Sequence, residues 1–131
     1  MTVPEAIAAV LLAHLVGDYL IQTHWMATQK VTRWWPAVVH GVTYTIPYLL
    51  ITQSLLALAV IAGTHVVIDR YRLAKYLVWA RDKVGPRGHR GTAHVGTTGN
   101  DDAPVWLSTW LMIIADNTTH VLLGVAAVIW L

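Results

Sequence analysis

The sequence predicts an all-α integral membrane protein, a four-helix bundle with both termini outside and a basic interfacial helix after the third span. Three observations lead there. The chain is 56% hydrophobic and only 12% charged, with a mean hydropathy of +0.52, whereas a soluble domain carries about 25% charged residues. All nine Lys and Arg fall in two segments, at positions 30 to 33 and 70 to 90. Four crossings put both segments on one side, which the positive-inside rule makes cytoplasmic. Finally, three of the apolar runs carry a His and an Asp four residues apart, polar pairs that an apolar run does not hold without a use for them.

The first span is expected at residues 3–21. It lacks a basic n-region and a small-residue cleavage site, so it reads as a retained helix rather than a signal peptide. Pro4 suits its first turn and Glu5 the positive end of its dipole. Residues 22–35 form a polar connection, partly helical, ending in the interface pair Trp34 and Trp35. A second span is expected at 36–51, with His40, Tyr44 and Tyr48 in one stripe; Pro47 should kink it or weaken its last turn. The third span covers 54–69. Both are shorter than the ~20 residues of a perpendicular crossing. A cytoplasmic connection, 70–105, follows. Its first part, Arg70 to Val84, alternates Leu73, Leu77, Val78 and Val84 with Arg72, Lys75, Arg81 and Lys83. That pattern suits a basic helix on the membrane surface and, equally, a cytoplasmic continuation of the third span. Residues 85–104, rich in Gly, Thr and charge, should form a loop, and the fourth span covers 108–131.

At 131 residues the chain is expected to be one domain. It has no Cys, so any metal must be held by imidazole and carboxylate. A formal charge of +2 without interleaved aromatic and basic residues excludes nucleic acid as the natural partner. Membrane lipid is the expected partner, and a small bundle of this kind is compatible with a homodimer.

His14 and Asp18, His65 and Asp69, and Asp116 and His120 each leave one helix face a turn apart. Together with His40 they place seven candidate ligands in the cytoplasmic half of the bilayer. An ionised group inside a bilayer costs at least ~2.5 kcal/mol, and no Lys or Arg lies within the spans to offset three Asp, so histidine or a metal must do so. Imidazole and carboxylate suit Zn, with Mn and Fe also compatible; seven donors suffice for one or two ions. Gln22, Tyr44 and Thr64 are placed to hydrogen-bond the ligands, although packing accounts for each equally well. His24, His89 and His94 lie in connections and read as solvated.

The order HLVGDYLIQTHWMA, then HG in the second span, then HVVIDRYR, then DNTTH resembles the DUF3307 family of small bacterial and phage membrane proteins. The resemblance implies a multi-pass protein of the bacterial inner membrane. Carried over, the family pattern falls on His14, Asp18, Gln22, His40, His65, Asp69, Asp116 and His120. Asn117 stands where many relatives have Gln. The family is similar to a broader group of membrane-bound metal-dependent hydrolases.

The expected function is a membrane-embedded metal-dependent hydrolase acting on a lipid or phosphoester, with Asp18 or Asp69 as general base. A metal-ion or proton transporter is the alternative, weakened because polar residues stop beyond His120 and before His14. A metal-stapled protein without catalysis is the other, and the sequence does not separate it from the hydrolase.

Overall fold

The computed structural model describes residues 1–84 and 105–131. The expected loop at 85–104, with His89 and His94, lies outside the described residues. All regular structure among the described residues is helical: α1 (Val3–Leu15), α2 (His24–Gln29), α3 (Trp34–Tyr44), α4 (Leu55–Tyr71), α5 (Ala74–Lys83) and α6 (Val105–Trp130). A π-helical turn, Val16–Ile21, continues α1, and a 3-10 turn, Pro47–Leu50, follows α3. The chain divides into two compact units, one of Met1–Tyr71 with His120–Leu131, the other of Arg72–Thr119.

In the first unit, helix ends follow local chemistry. The Thr2 amide donates to Glu5 Oε2 at 2.7 Å and the Glu5 amide to Thr2 Oγ1 at 3.4 Å, a capping box that satisfies two otherwise orphaned amides at the start of α1. Thr23 Oγ1 accepts from the Met26 amide at the start of α2, and Ser54 Oγ accepts from the Ala57 amide at the start of α4. α3 ends at Tyr44, and Pro47 opens the 3-10 turn rather than kinking a continuous helix, because its ring and missing N–H deny it an interior helical position. α4 ends where Arg72 takes φ of 50°, a left-handed residue of the kind that stops a helix. α5 is therefore a separate helix and not a continuation of α4.

The elements of this unit meet through glycine. A Cβ on Gly17 would stand 2.5 Å from Tyr44 Cδ2, and one on Gly41 2.3 Å from Val66 Cγ2 and 3.2 Å from the Ala62 carbonyl. Absent side chains allow close approach: the π turn admits the Tyr44 ring of α3 beside Asp18, and α3 closes on α4 beside His40 and His65. Below these contacts lies the apolar core of Val10, Ala13, Tyr44, Tyr48, Ala57, Ile61 and Ala127.

The second unit comprises α5 and the first part of α6. Ala74 and Val78 are buried, while Tyr76, Leu77 and Trp79 are exposed beside Lys75, Arg81 and Lys83. Two helical stretches, Val3–Ile21 and Thr109–Trp130, are long and apolar enough to cross a membrane.

Candidate metal centre

Two histidines and two aspartates of the first unit meet in one buried cluster. Asp18 comes from the π-helical turn, His40 from α3, and His65 and Asp69 from successive turns of α4. The π turn adds a residue to the helical repeat and swings Asp18 relative to His14 one turn earlier; such bulges recur at functional sites. All four residues are buried.

His40 Nε2 lies 3.2 Å from Asp18 Oδ1 and 3.3 Å from Asp69 Oδ2. His65 Nε2 lies 3.3 Å from Asp18 Oδ1 and 3.1 Å from Asp69 Oδ2. The two Nε2 atoms are 2.9 Å apart. Donors placed about 2.0 to 2.1 Å from a tetrahedral ion stand about 3.3 to 3.4 Å from one another. The five observed distances, 2.9 to 3.3 Å, lie at or below that spacing.

Hydrogen bonding alone does not satisfy this arrangement. Asp18 Oδ1 is a buried oxygen that accepts no aligned hydrogen bond, and a buried carboxylate oxygen left unsatisfied is costly; Asp69 Oδ2 meets the Lys30 ammonium at 2.7 Å. A proton shared between the two Nε2 atoms serves neither oxygen. The donor set, two imidazole nitrogens and two carboxylate oxygens, is that of Zn, Mn or Fe. The residues could therefore hold a metal ion.

His120 completes the arrangement from α6. Its Nε2 stands 3.3 Å from Asp69 Oδ1 and its Nδ1 3.1 Å from His65 Nδ1. A carboxylate only accepts, so His120 Nε2 carries the proton toward Asp69 and His120 Nδ1 accepts from His65 Nδ1–H. That leaves His65 Nε2 with its lone pair facing the point of convergence. Asp18, His40 and His65 lie close enough to share an ion, and so do His65, Asp69 and His120.

His14 stands beside the four. Its Nδ1 is 2.8 Å from the Tyr44 hydroxyl and 3.6 Å from Asp18 Oδ2, and its ring stacks on His120 with centroids 5.6 Å apart. Tyr44 hydrogen-bonds Tyr48 at 2.7 Å and stacks on His65 at 3.7 Å between centroids, so it fixes the plane of one ligand while bonding the neighbour of another. Gln22 donates to the Asp18 carbonyl at 3.1 Å. Thr64 turns back on its own helix and bonds the carbonyl of Val60. Asp116 and Asn117 are half-buried members of the second unit.

Lys30 corrects an expectation. The Asp residues were to be offset by histidine or metal alone, because the spans carry no Lys or Arg. The Lys30 side chain instead reaches back from the end of α2, with Nζ 2.7 Å from Asp69 Oδ2, 3.3 Å from His40 Nε2 and 2.6 Å from Gln22 Oε1. Arg70 holds the segment that follows Lys30, donating to the carbonyls of Val31 at 2.7 Å and Thr32 at 3.2 Å while packing on Trp34 and Tyr71. Neither role has a signature in the sequence. Lys30 sits in an ordinary polar connection, and its reach depends on the turn between α2 and α3.

No curated protein and no solved structure matches the chain. All four converging donors, with His14, Tyr44 and Lys30, lie within residues 6–93, which match a family described as a protein of unknown function, and on that match over more than half its length the chain belongs to the DUF3307 family.

Proposed function

We propose that the protein is a membrane-embedded metal-dependent hydrolase with one divalent ion held by Asp18, His40, His65 and Asp69, acting on a lipid or other phosphoester. The observation that carries the reading is the set of five donor-to-donor distances of 2.9 to 3.3 Å, with a buried Asp18 oxygen that accepts no aligned hydrogen bond. A bound divalent ion supplies Lewis acidity and lowers the pKa of a water it binds. The chain's own groups divide the remaining work. Asp69 Oδ1 is engaged by His120, whereas Asp18 Oδ2 lies outside the converging set, 3.6 Å from His14 Nδ1. Asp18 is thus the general base for an attacking water, with His14 and Tyr44 orienting it. His120 holds His65 in its ligating tautomer.

Membrane embedding is supported by the large apolar side chains that α1 and α4 expose, among them Leu11, Leu12, Leu55 and Leu56, and by Leu122 and Leu123 of α6. In the proposed topology, α1 with its π turn, α3 with the 3-10 turn, α4 and α6 are four crossings of the inner membrane. The termini lie outside and the basic segments, including α5, inside.

The test is hydrolysis of aryl phosphate monoesters and diesters by detergent-purified protein. Activity should vanish with a chelator, return with Zn or Mn, and fall about a hundredfold or more in Asp18→Asn protein that still holds its ion, as for loss of a general base. A second reading, an ion that only staples the helices, is favoured by one observation: four protein donors are enough to fill a tetrahedral ion. Protein that retains its ion but hydrolyses no ester would establish that reading instead.

A further inference from the structure

The charge balance at the centre changes when it binds an ion. Asp18 and Asp69 bring two negative charges, and the two ligating imidazoles bring none. A divalent ion would cancel the net charge of both carboxylates, so the Lys30 ammonium, 2.7 Å from Asp69 Oδ2 and 2.6 Å from Gln22 Oε1, would leave the filled site with one uncancelled positive charge. Its side chain is only 16% exposed. A largely desolvated ammonium needs an anion. Its position shows where that anion must lie: Nζ is 2.7 Å from one donor atom and 3.3 Å from another, so a group touching Lys30 also lies beside the ion. Two further features keep Lys30 there. Gln22 anchors to the Asp18 carbonyl at 3.1 Å, and Arg70 fastens the carbonyls of the two residues after Lys30.

Resting on the metal-centre reading above, we propose that Lys30 is a substrate-binding residue that holds an oxyanion, the phosphoryl group of a phosphate ester, against the bound ion. One oxygen of the group approaches the ion and a second meets the ammonium. A closed staple has no need of such a cation, because a neutral side chain would leave the ion-filled site balanced.

The test uses detergent-purified protein loaded with Co(II), whose visible absorption reports its coordination. Wild type, Lys30→Gln and Lys30→Arg are titrated with inorganic phosphate and, separately, with micellar dihexanoyl phosphatidate. Lys30→Gln should bind Co(II) at least as tightly as wild type, since a repelling charge has been removed, with its phosphate-induced spectral change weakened about tenfold or more, the loss expected of one charge-assisted contact. Lys30→Arg should keep most of the response. Tighter binding of phosphatidate than of phosphate would identify a lipid headgroup as the source of the oxyanion, and equal binding a soluble ester. Phosphate affinity unchanged in a Co(II)-loaded Lys30→Gln protein would overturn the proposal and leave the metal centre standing. Weakened Co(II) binding in that variant would overturn it too, by showing that Lys30 only braces Asp69. A folded wild type that binds no Co(II) would instead refute the metal centre itself.

Discussion

Gly41→Ala is the sharpest perturbation of the proposed centre that touches none of its donors. The added Cβ would lie 2.3 Å from Val66 Cγ2, while apolar carbons settle about 3.5 Å or more apart, a shortfall of about 1.2 Å. Val66 cannot swing clear, because a β-branched residue in a helix is largely confined to one rotamer, so α3 and α4 must separate. If the whole shortfall is carried along the line between His40 and His65, their Nε2 atoms move from 2.9 Å to about 4.1 Å. That equals two metal–nitrogen bonds of about 2.05 Å laid end to end, so both could reach one ion only in a straight line. Overpacking of this size costs about 1 to 3 kcal/mol, and each 1.4 kcal/mol is a factor of ten. We expect metal affinity, measured by competition with a chromophoric chelator, to fall about ten- to a hundredfold in Gly41→Ala. Adding Val66→Ala removes Cγ2 and should restore most of the loss, a coupling that a double-mutant cycle reads directly. Wild-type affinity in Gly41→Ala, or no recovery in the double variant, would refute the claim that this contact sets the spacing of the ligands.

Other outcomes follow from the same geometry. His120→Ala should keep the fold and weaken metal binding about 10- to 100-fold, the usual consequence of removing a group that orients a ligating histidine, as read by the same competition. Tyr44→Phe keeps the stack on His65 but removes the hydroxyl that bonds His14 at 2.8 Å and Tyr48 at 2.7 Å; leaving such buried partners short should cost about 1 to 3 kcal/mol, seen as a lower thermal midpoint in detergent. The chain has no native Cys, so single-Cys variants need no background removed. In the proposed topology, Cys at Thr2 or Leu131 should react with an impermeant maleimide in intact cells, and Cys at Thr28 only after lysis.

Much of this was legible in the sequence, for identifiable reasons. A spacing of four in an α-helix forces two side chains onto one face, so His65 and Asp69 could be paired without coordinates, and they meet at the centre. The same rule explains the His40, Tyr44 and Tyr48 stripe, which becomes a run of ring contacts and a hydroxyl bond. His14 and Asp18 share that spacing, yet the helix widens into a π turn between Leu15 and Gln22. Asp18 then joins the converging donors while His14 turns to Tyr44. Hydrophobic periodicity has no mark for a π turn, since a single inserted residue lies within the noise of an all-apolar stretch. Lys30 was illegible for a different reason: a lysine's reach of several ångströms depends on a turn whose path the local sequence does not encode. Gly17 and Gly41 were visible as letters in HLVGD and HG, but that each admits a neighbouring backbone or ring emerged only from the packing.

The claim on which the rest depends is that Asp18, His40, His65 and Asp69 hold an ion. Elemental analysis of tag-free, detergent-purified protein tests it most directly, with wild type compared against His65→Ala and Lys30→Gln. About one equivalent of Zn, Mn or Fe is expected in wild type and in Lys30→Gln, and none in His65→Ala. A well-folded wild type free of metal after growth and dialysis in Zn, Mn and Fe would contradict it, and the four side chains would then form a buried polar network with Lys30 as its cation.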